Sequence, residues 1–217
     1  MRNRWMDSWR NGLSFSGRRT TRQSRCRWDQ DRVRLEDLDV TGSKVVKKSN
    51  KITRLFYENF NGLNHTWKVR RLNSLRNTMH LDLVCGTEPN RKRTTSNARS
   101  LAEDIFRNTP YVQTVSSFNH HENFGPRQRG GTFMATGGDL ATRVARTGGD
   151  FTSLGRWSWV LVGSGDRLTR IITAYQPCRS RKDGYSTSYN QQRRFWRSKG
   201  IRSCPKKLFR DQLIATL

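Results

Sequence analysis

The amino-acid sequence predicts an α/β fold built on a mixed sheet. Between residues 52 and 86 a strand, a helix and a second strand follow one another, which is the βαβ arrangement that makes two strands parallel. Two β-rich runs at 156–162 and 168–175 flank a Gly-Ser-Gly-Asp turn, which indicates an antiparallel hairpin. A parallel unit followed by antiparallel hairpins predicts a mixed sheet with helices packed on it.

The βαβ unit begins with Ile52–Tyr57, which alternates loosely and is rich in β-formers. Near-helical spacing of apolar residues then predicts a helix over Trp67–Met79. The apolar run Leu81–Gly86 predicts a buried second strand. Turn residues follow the first strand and an acidic residue follows the second.

The ends of these two strands are the first candidate site. Asn59 and Asn61 follow the first strand, and Glu88 follows the second. Ligands of parallel sheets bind beyond the carboxyl ends of the strands. We therefore expect the three side chains to converge at one rim of the sheet.

The remaining elements are predicted from the same signals. A basic loop at 91–99 leads to Ser100, which we expect to cap a helix through Phe106, with Glu103 completing a capping box. Residues 137–155 are Gly-rich and are predicted as loop, with a short helix near 140–144. The other predicted elements are strands at 111–118 and 130–136 and helices at 187–199 and 206–216.

Residues 1–50 form a separate segment from the domain predicted for 51–217. The segment is rich in Arg, Ser, Thr and Asp, and no apolar period persists in it. We interpret it as a basic arm. Its residues Trp5, Trp9 and Trp28 could stack on nucleic-acid bases; the alternative is a disordered leader without a partner.

The charge of the chain points to polyanions. It carries 42 Lys and Arg against 17 Asp and Glu, a net charge of +25, with a pI of about 11.3. Such an excess attracts nucleic acid, so DNA or RNA is the expected partner. The alternative is a basic domain without a specific partner. A third hypothesis is a structural, ribosome-like basic protein.

The sequence gives no sign of secretion, of a membrane span or of a zinc site. Cys26, Cys85, Cys178 and Cys204 are widely spread, and none of them forms a C-x₂-C pair. The basic N-terminus lacks an apolar core, and no run of about 18 apolar residues occurs. We expect an intracellular protein of the nucleus or cytoplasm, not secreted and not bound to a membrane.

Four segments between about residue 52 and residue 217 resemble the motifs of one known family. Tyr57–Leu63 (YENFNGL) is similar to the family's first motif, and Asp82–Asn90 (DLVCGTEPN) to its second. Thr169–Pro177 (TRIITAYQP) is similar to the third, and Gly130–Thr132 to a glycine pair that opens a central strand. These segments together resemble the endonuclease/exonuclease/phosphatase (DNase I-like) family. The resemblance implies a DNase I-like mixed-sheet sandwich and phosphodiester hydrolysis.

Three further segments resemble a retroelement-type branch of that family, in which the nuclease domain can precede a reverse transcriptase. They are Leu154–Trp157, Thr187–Arg194 and Cys204–Arg210. No chemistry is evident in them, so we interpret them as markers of lineage.

The resemblance implies a Mg²⁺ site whose ligands are Glu88 and Asn61. A hard cation neutralises the negative oxygens of a phosphodiester and polarises the phosphoryl group. Asn59 would orient Glu88 or the phosphate, and the Tyr175 hydroxyl would donate to a phosphate oxygen. Alternatively, Glu88 is an ordinary acid of a loop, Asn59 is a turn residue, and Tyr175 is a half-buried tyrosine of a strand.

Two pairs of residues near the middle of the chain are candidates for contacts with nucleic acid or with a metal ion. Arg127 and Arg129 could grip a nucleic-acid backbone by charge, or be ordinary surface charges. His120 and His121 are neighbours, and neighbours on a strand point to opposite faces, so we interpret them as surface residues and not as metal ligands.

The later motifs of the family are missing from this sequence. No Asp-x-Asn follows Tyr175, and no histidine follows His121, so the catalytic base has no counterpart. We expect the sandwich to be incomplete at the C-terminus, with sheet edges and an apolar face uncovered. The chain is then a fragment of a longer nuclease or a decayed copy, inactive by itself; the alternative function is a non-catalytic nucleic-acid-binding module.

Overall fold

A computed structural model describes residues 48–49, 52–63, 65–90, 95–121, 128–179 and 187–217. The arm predicted for residues 1–50 lies outside them, except at Lys48 and Ser49. The described elements, in chain order, are β1 Leu55–Asn59, α1 Thr66–Met79, β2 Leu83–Thr87, α2 Thr95–Ile105, β3 Val112–Ser117, β4 Thr132–Gly137, α3 Asp139–Thr142, β5 Val144–Gly149, β6 Trp157–Ser164, β7 Arg167–Ala174, α4 Ser188–Ser198 and α5 Pro205–Ile214.

The described strands form two sheets. The first has the order β1-β2-β4-β3, and the second has the order β5-β6-β7. β1 and β2 are parallel, whereas β4 is antiparallel to both of its neighbours. The second sheet is wholly antiparallel. The predicted α/β class, the parallel βαβ unit and the β6–β7 hairpin are therefore confirmed.

Helices cover one face of the first sheet, and the second sheet covers the other. Buried residues of α1 and α2, such as Leu72 and Ile105, pack with Phe133 of β4 in one core. A second core joins Leu83 of β2 to Val160 of β6. Alternation along each strand explains the arrangement, since successive side chains point to opposite faces.

α4 and α5 pack on the outer face of the second sheet. Trp157 of β6 is fully buried, and its ring meets Phe209 of α5 edge-on at 6.0 Å between centroids. Trp196 of α4 is buried in the same layer. The layers thus run helices, sheet, sheet, helices, which is compatible with an α/β sandwich.

The inner face of β1 is left uncovered. Leu55 pairs with Leu83 and Tyr57 pairs with Cys85, so the paired side chains share a face. Leu83 and Cys85 are buried under the second sheet, yet Leu55 is 51% and Tyr57 59% exposed. Among the described residues, the second sheet therefore does not extend over β1, while the predicted incompleteness at the C-terminus stays a prediction.

The start of the second helix was predicted wrongly. α2 begins at Thr95 and not after a cap at Ser100, so the last part of the predicted loop is helical. The buried stripe Ala98, Leu101 and Ile105 has helical spacing and anchors this earlier turn in the core. Glu103 pairs with Arg99 one turn before it instead of capping the helix.

The Gly-rich stretch 137–155 was also predicted wrongly in part. The short helix is present as α3, but Val144–Gly149 is a strand paired with β6. Gly148 lies directly under the Trp159 ring, where an added Cβ would come within 2.4 Å of Trp159 Cζ2. Glycine here makes room for an aromatic side chain on the neighbouring strand, which sequence propensity cannot reveal.

The last two helices begin where they were predicted, within a residue. Thr187 caps α4 by accepting a hydrogen bond from the Asn190 backbone N–H, and Pro205 occupies the first turn of α5. None of the helices among the described residues has the length and apolar character needed to cross a membrane.

Candidate functional site

The candidate site lies where β1 and β2 end side by side. Asn59 is opposite Thr87 in the parallel register. Beyond the strands the two chains stay joined, since the Gly62 N–H donates to the Glu88 carbonyl at 2.8 Å. The backbones of Asn59, Asn61 and Glu88 therefore lie at one rim, while the convergence of their side chains on a ligand stays a prediction.

Three residues of this rim have left-handed backbone conformations. The φ angle is 42° at Asn61, 54° at Glu88 and 50° at Asn90. Asparagine tolerates this region because its side chain bonds locally, but glutamate has no such compensation. A strained glutamate at the end of a central strand is the kind of outlier that suggests a functional role.

The Asn59 side chain shapes the first of the two loops. Its Oδ1 accepts a hydrogen bond from the Asn61 backbone N–H at 3.0 Å, which closes an Asx-type turn. Asn59 and Asn61 are both exposed, and Glu88 is half-buried. The amide groups are therefore open to a ligand, while their proposed contacts with a metal or a phosphate stay predictions.

A third chain segment joins the rim from the start of β4. The Glu88 N–H donates to the Gly131 carbonyl at 3.0 Å, and the Gly130 N–H donates to Asn90 Oδ1 at 2.8 Å. A Cβ at Gly130 would lie 2.8 Å from Ser188 Oγ and 3.0 Å from Tyr175 Cε1. Glycine at 130 thus lets two side chains of the other sheet layer approach the rim.

Tyr175 and Ser188 complete the cluster. The pKa of Tyr175 is raised well above its ordinary value, chiefly by burial. The Ser188 hydroxyl counteracts this shift through a hydrogen bond, and the Glu88 carboxylate raises the pKa further. The phenol therefore stays protonated, with the Ser188 hydroxyl and the Glu88 carboxylate as its neighbours.

A buried ion pair anchors the backbone next to Tyr175. The Tyr175 N–H donates to the Arg156 carbonyl at 2.6 Å. The Arg156 guanidinium grips Asp150 through Nε at 2.8 Å and Nη2 at 2.9 Å, and neither side chain is exposed. Its central carbon lies 4.4 Å from the Trp157 ring centroid and 5.7 Å from that of Trp196. This packing fixes the chain from which Tyr175 projects.

A second buried contact fixes the start of α4, which carries Ser188. Asn119 Nδ2 donates to Gln191 Oε1 at 3.0 Å, and both side chains are buried. Gly155 passes close to the same place, since a Cβ there would come within 2.7 Å of the Asn119 backbone N. The segments that we interpreted as lineage markers therefore include residues with structural roles.

Sequence reasoning missed three residues of this site: Asn90, Ser188 and Arg156. Asn90 closed the second motif, and its left-handed φ is typical of asparagine, so turn chemistry could have identified it. Ser188 follows the cap of α4, a position that could have been noticed. Arg156 gave no signal, because a buried arginine cannot be told from a surface one without its partner.

The two other candidate pairs have different outcomes. Arg129 is exposed beside Gly130, and Arg127 lies outside the described residues. His120 and His121 are exposed, as predicted. His121 Nε2 is 2.8 Å from the Thr152 carbonyl, and its ring lies 4.3 Å from that of Phe195.

The rim offers few ligands for a metal ion. Among the residues that the structure describes, no group of three or more His, Cys, Asp or Glu side chains is placed to hold a metal ion. Glu88 supplies one carboxylate, and Asn61 supplies an amide oxygen. Mg²⁺ commonly keeps several waters and binds through one or two carboxylates plus substrate phosphate. One carboxylate and one amide oxygen are therefore compatible with Mg²⁺ only together with a phosphate, and the Mg²⁺ site stays a prediction.

Comparison with known proteins leaves the family open. No protein-family model matches this chain, and a search of curated proteins finds no significant match. The arguments for function therefore rest on the geometry of the rim and on the charge of the chain.

Proposed function

We propose that this chain forms the N-terminal part of a Mg²⁺-dependent nuclease or phosphodiesterase domain, in which the rim binds a phosphodiester. The observation that supports this proposal best is the meeting of Glu88 and Tyr175. Glu88 follows β2 and Tyr175 follows β7, and both meet the glycines at the start of β4: the Glu88 N–H donates to the Gly131 carbonyl at 3.0 Å, and the Tyr175 ring lies beside Gly130. The Glu88 carboxylate also contributes to the raised pKa of Tyr175.

Each rim residue has a chemical role in this proposal. Glu88 and Asn61 would hold Mg²⁺, which supplies positive charge against the phosphate oxygens. The protonated Tyr175 would donate to a phosphate oxygen, and Asn59 would keep the Asn61 loop in place. Electrostatic stabilisation of this kind is the main contribution a protein makes to phosphoryl chemistry.

None of the described residues that we assign to the rim is a histidine that could act as a general base. The sequence has four histidines, and none follows His121. Hydrolysis needs a group that prepares the attacking water. We therefore expect this polypeptide by itself to bind a phosphodiester far better than it cleaves one.

A non-catalytic nucleic-acid-binding module is the second candidate. Residues 51–217 contain 29 basic and 11 acidic residues, so most of the net charge lies in the predicted domain and not in the arm. Residues 187–217 alone carry eight basic residues and one acid. Such a module would bind nucleic acid without needing a divalent cation.

Incubation with supercoiled plasmid, with and without Mg²⁺, separates the candidates. We expect retardation in a gel without nicking for the wild type, and weaker retardation for Glu88→Ala in the presence of Mg²⁺. Glu103→Ala, which removes an exposed acid on α2, is the matched control. Mg²⁺-dependent nicking that Glu88→Ala abolishes would show that a base is present after all. Retardation that is the same with and without Mg²⁺, and the same for the wild type and Glu88→Ala, favours the non-catalytic module.

A further inference from the structure

We infer that the cavity between α1 and the loop after β1 is a subsite for a nucleobase of a single strand, adjoining the phosphate at the rim. The inference rests on the proposed function, because it places a base next to that phosphate. Trp67 would stack on the base, and Lys68 would contact the phosphate that follows it.

The cavity is continuous with the candidate site. Its volume is about 330 Å³, within the range of small-ligand sites. Two of its lining residues, Asn59 and Asn61, belong to the rim itself. A nucleotide unit in this cavity would therefore be joined directly to a phosphate at Glu88.

Trp67 is an aromatic side chain that the core of the protein does not use. α1 packs into the first core through Leu72 and Leu75, which are buried. Trp67 lies off that stripe on the cavity side and is 58% exposed. An exposed indole beside a polar cavity offers a flat face on which a base can stack, whichever base it is.

Lys68 is held at the mouth of the cavity. Its Nζ donates to the Phe60 carbonyl at 2.7 Å and to the Asn61 carbonyl at 3.0 Å. An ammonium group has three donors, so one is left for a ligand oxygen. The same Nζ is 5.6 Å from the Trp67 ring centroid, which puts a fixed positive charge beside the stacking surface.

The charges favour a nucleotide over an acidic peptide. The second cation of the cavity, Arg71, is paired with Glu58, so the wall offers one anchored cation and one neutralised pair. One cation next to one aromatic face matches the phosphate and base of a single nucleotide. Stacking carries little base discrimination, so we expect weak sequence preference.

The test compares two ligands of equal length by fluorescence anisotropy, a labelled oligo(dT) and the same backbone without bases. Trp67→Ala in the full chain should weaken oligo(dT) binding by between about five-fold and a hundred-fold, and leave the abasic strand unchanged. Trp67→Phe keeps a stacking face and should retain most of the affinity. Lys68→Met should weaken both ligands alike.

Three results would overturn the subsite. Trp67→Ala could leave oligo(dT) binding unchanged, or weaken both strands equally, which would indicate a structural role. An acidic peptide competing as well as oligo(dT) at equal charge would also contradict it. Thermal unfolding of each variant checks that the fold is intact. A Glu88→Gln variant separates the two proposals. Loss of Mg²⁺-dependent binding in this variant tests the proposed function, whereas the difference in affinity between oligo(dT) and the abasic strand tests the subsite.

Discussion

At the scale of single residues, strain and burial locate the candidate site. Glu88 holds a φ of 54°, a conformation that costs a residue with a Cβ about 1–2 kcal/mol. Beside it, Tyr175 is kept protonated by burial and by the Glu88 carboxylate. Glu88 was predicted from its place after a strand and Tyr175 from the family resemblance of Thr169–Pro177, but the strain and the Ser188 contact depend on tertiary packing.

Glu88→Gly should stabilise the protein while weakening the function that we propose. Glycine adopts the left-handed region without a steric penalty, so the free energy of unfolding should rise by about 0.5–1 kcal/mol. Binding of a phosphodiester with Mg²⁺ should fall, because the carboxylate is lost. Urea unfolding measures the first effect. A decrease in stability would mean that the Glu88 side chain, and not its backbone, holds the rim together.

Asp150 should make the protein sensitive to acid. Burial acts to raise the pKa of this carboxyl, but hydrogen bonds and charge from Arg156 outweigh it, so the net pKa is lowered. A lowered pKa gives stability that is present above the unfolded value, near 4, and is lost as the pH falls through the folded pKa.

Asp150→Asn should therefore cost about 3–5 kcal/mol at pH 7, because it leaves Arg156 buried and unpaired. Its deficit relative to wild type should shrink as the pH falls below about 4. Asp104→Asn, at an exposed pair with Arg107, is the control and should change stability by less than about 1 kcal/mol. Chemical unfolding across pH values measures both; a deficit independent of pH would contradict the account.

At the scale of elements, the sequence predicted the hairpin and helices whose formation depends on neighbouring residues in the chain. The β6–β7 hairpin and the helices at 187–199 and 206–216 were predicted from the sequence, and the structure adds a cap at Thr187 and Pro205 in the first turn of α5. β5 was missed because its stability comes from a neighbouring strand. Gly148 has low strand propensity by itself, but it lies under Trp159.

Gly148→Ala should destabilise the second sheet by about 1–3 kcal/mol, because the new Cβ would overlap the Trp159 ring. In a Trp159→Leu background the same change should cost much less. A double-mutant cycle from thermal unfolding measures this coupling. Equal costs in both backgrounds would mean that the ring is not the cause.

At the scale of the whole molecule, charge dominates. Residues 1–47 contain 12 basic and 6 acidic residues, whereas residues 48–217 contain 30 and 11, so the larger share of the excess lies outside the arm. Composition alone predicted a polyanionic partner, but it could not show where the partner binds. The site required the fold, because Glu88 and Tyr175 are 87 positions apart in the sequence.

Binding to nucleic acid should weaken linearly in log affinity against log salt, because counterions are released from the phosphates. Removing residues 1–47 keeps Lys48 and its 2.5 Å contact with Asp82, and should lower the slope without abolishing it. Anisotropy of a labelled strand at several KCl concentrations measures this. An affinity that does not depend on the salt concentration, or that is lost when residues 1–47 are removed, would contradict the proposal that charges of residues 48–217 bind nucleic acid.

The measurement that tests the central claim most directly is the effect of Mg²⁺ on binding of a short single strand at constant ionic strength. The account predicts tighter binding with Mg²⁺ for the wild type and for the Glu103→Gln control, and no such gain for Glu88→Gln. An equal gain in Glu88→Gln, or none in the wild type, would show that the rim is not a site for a divalent cation and a phosphodiester.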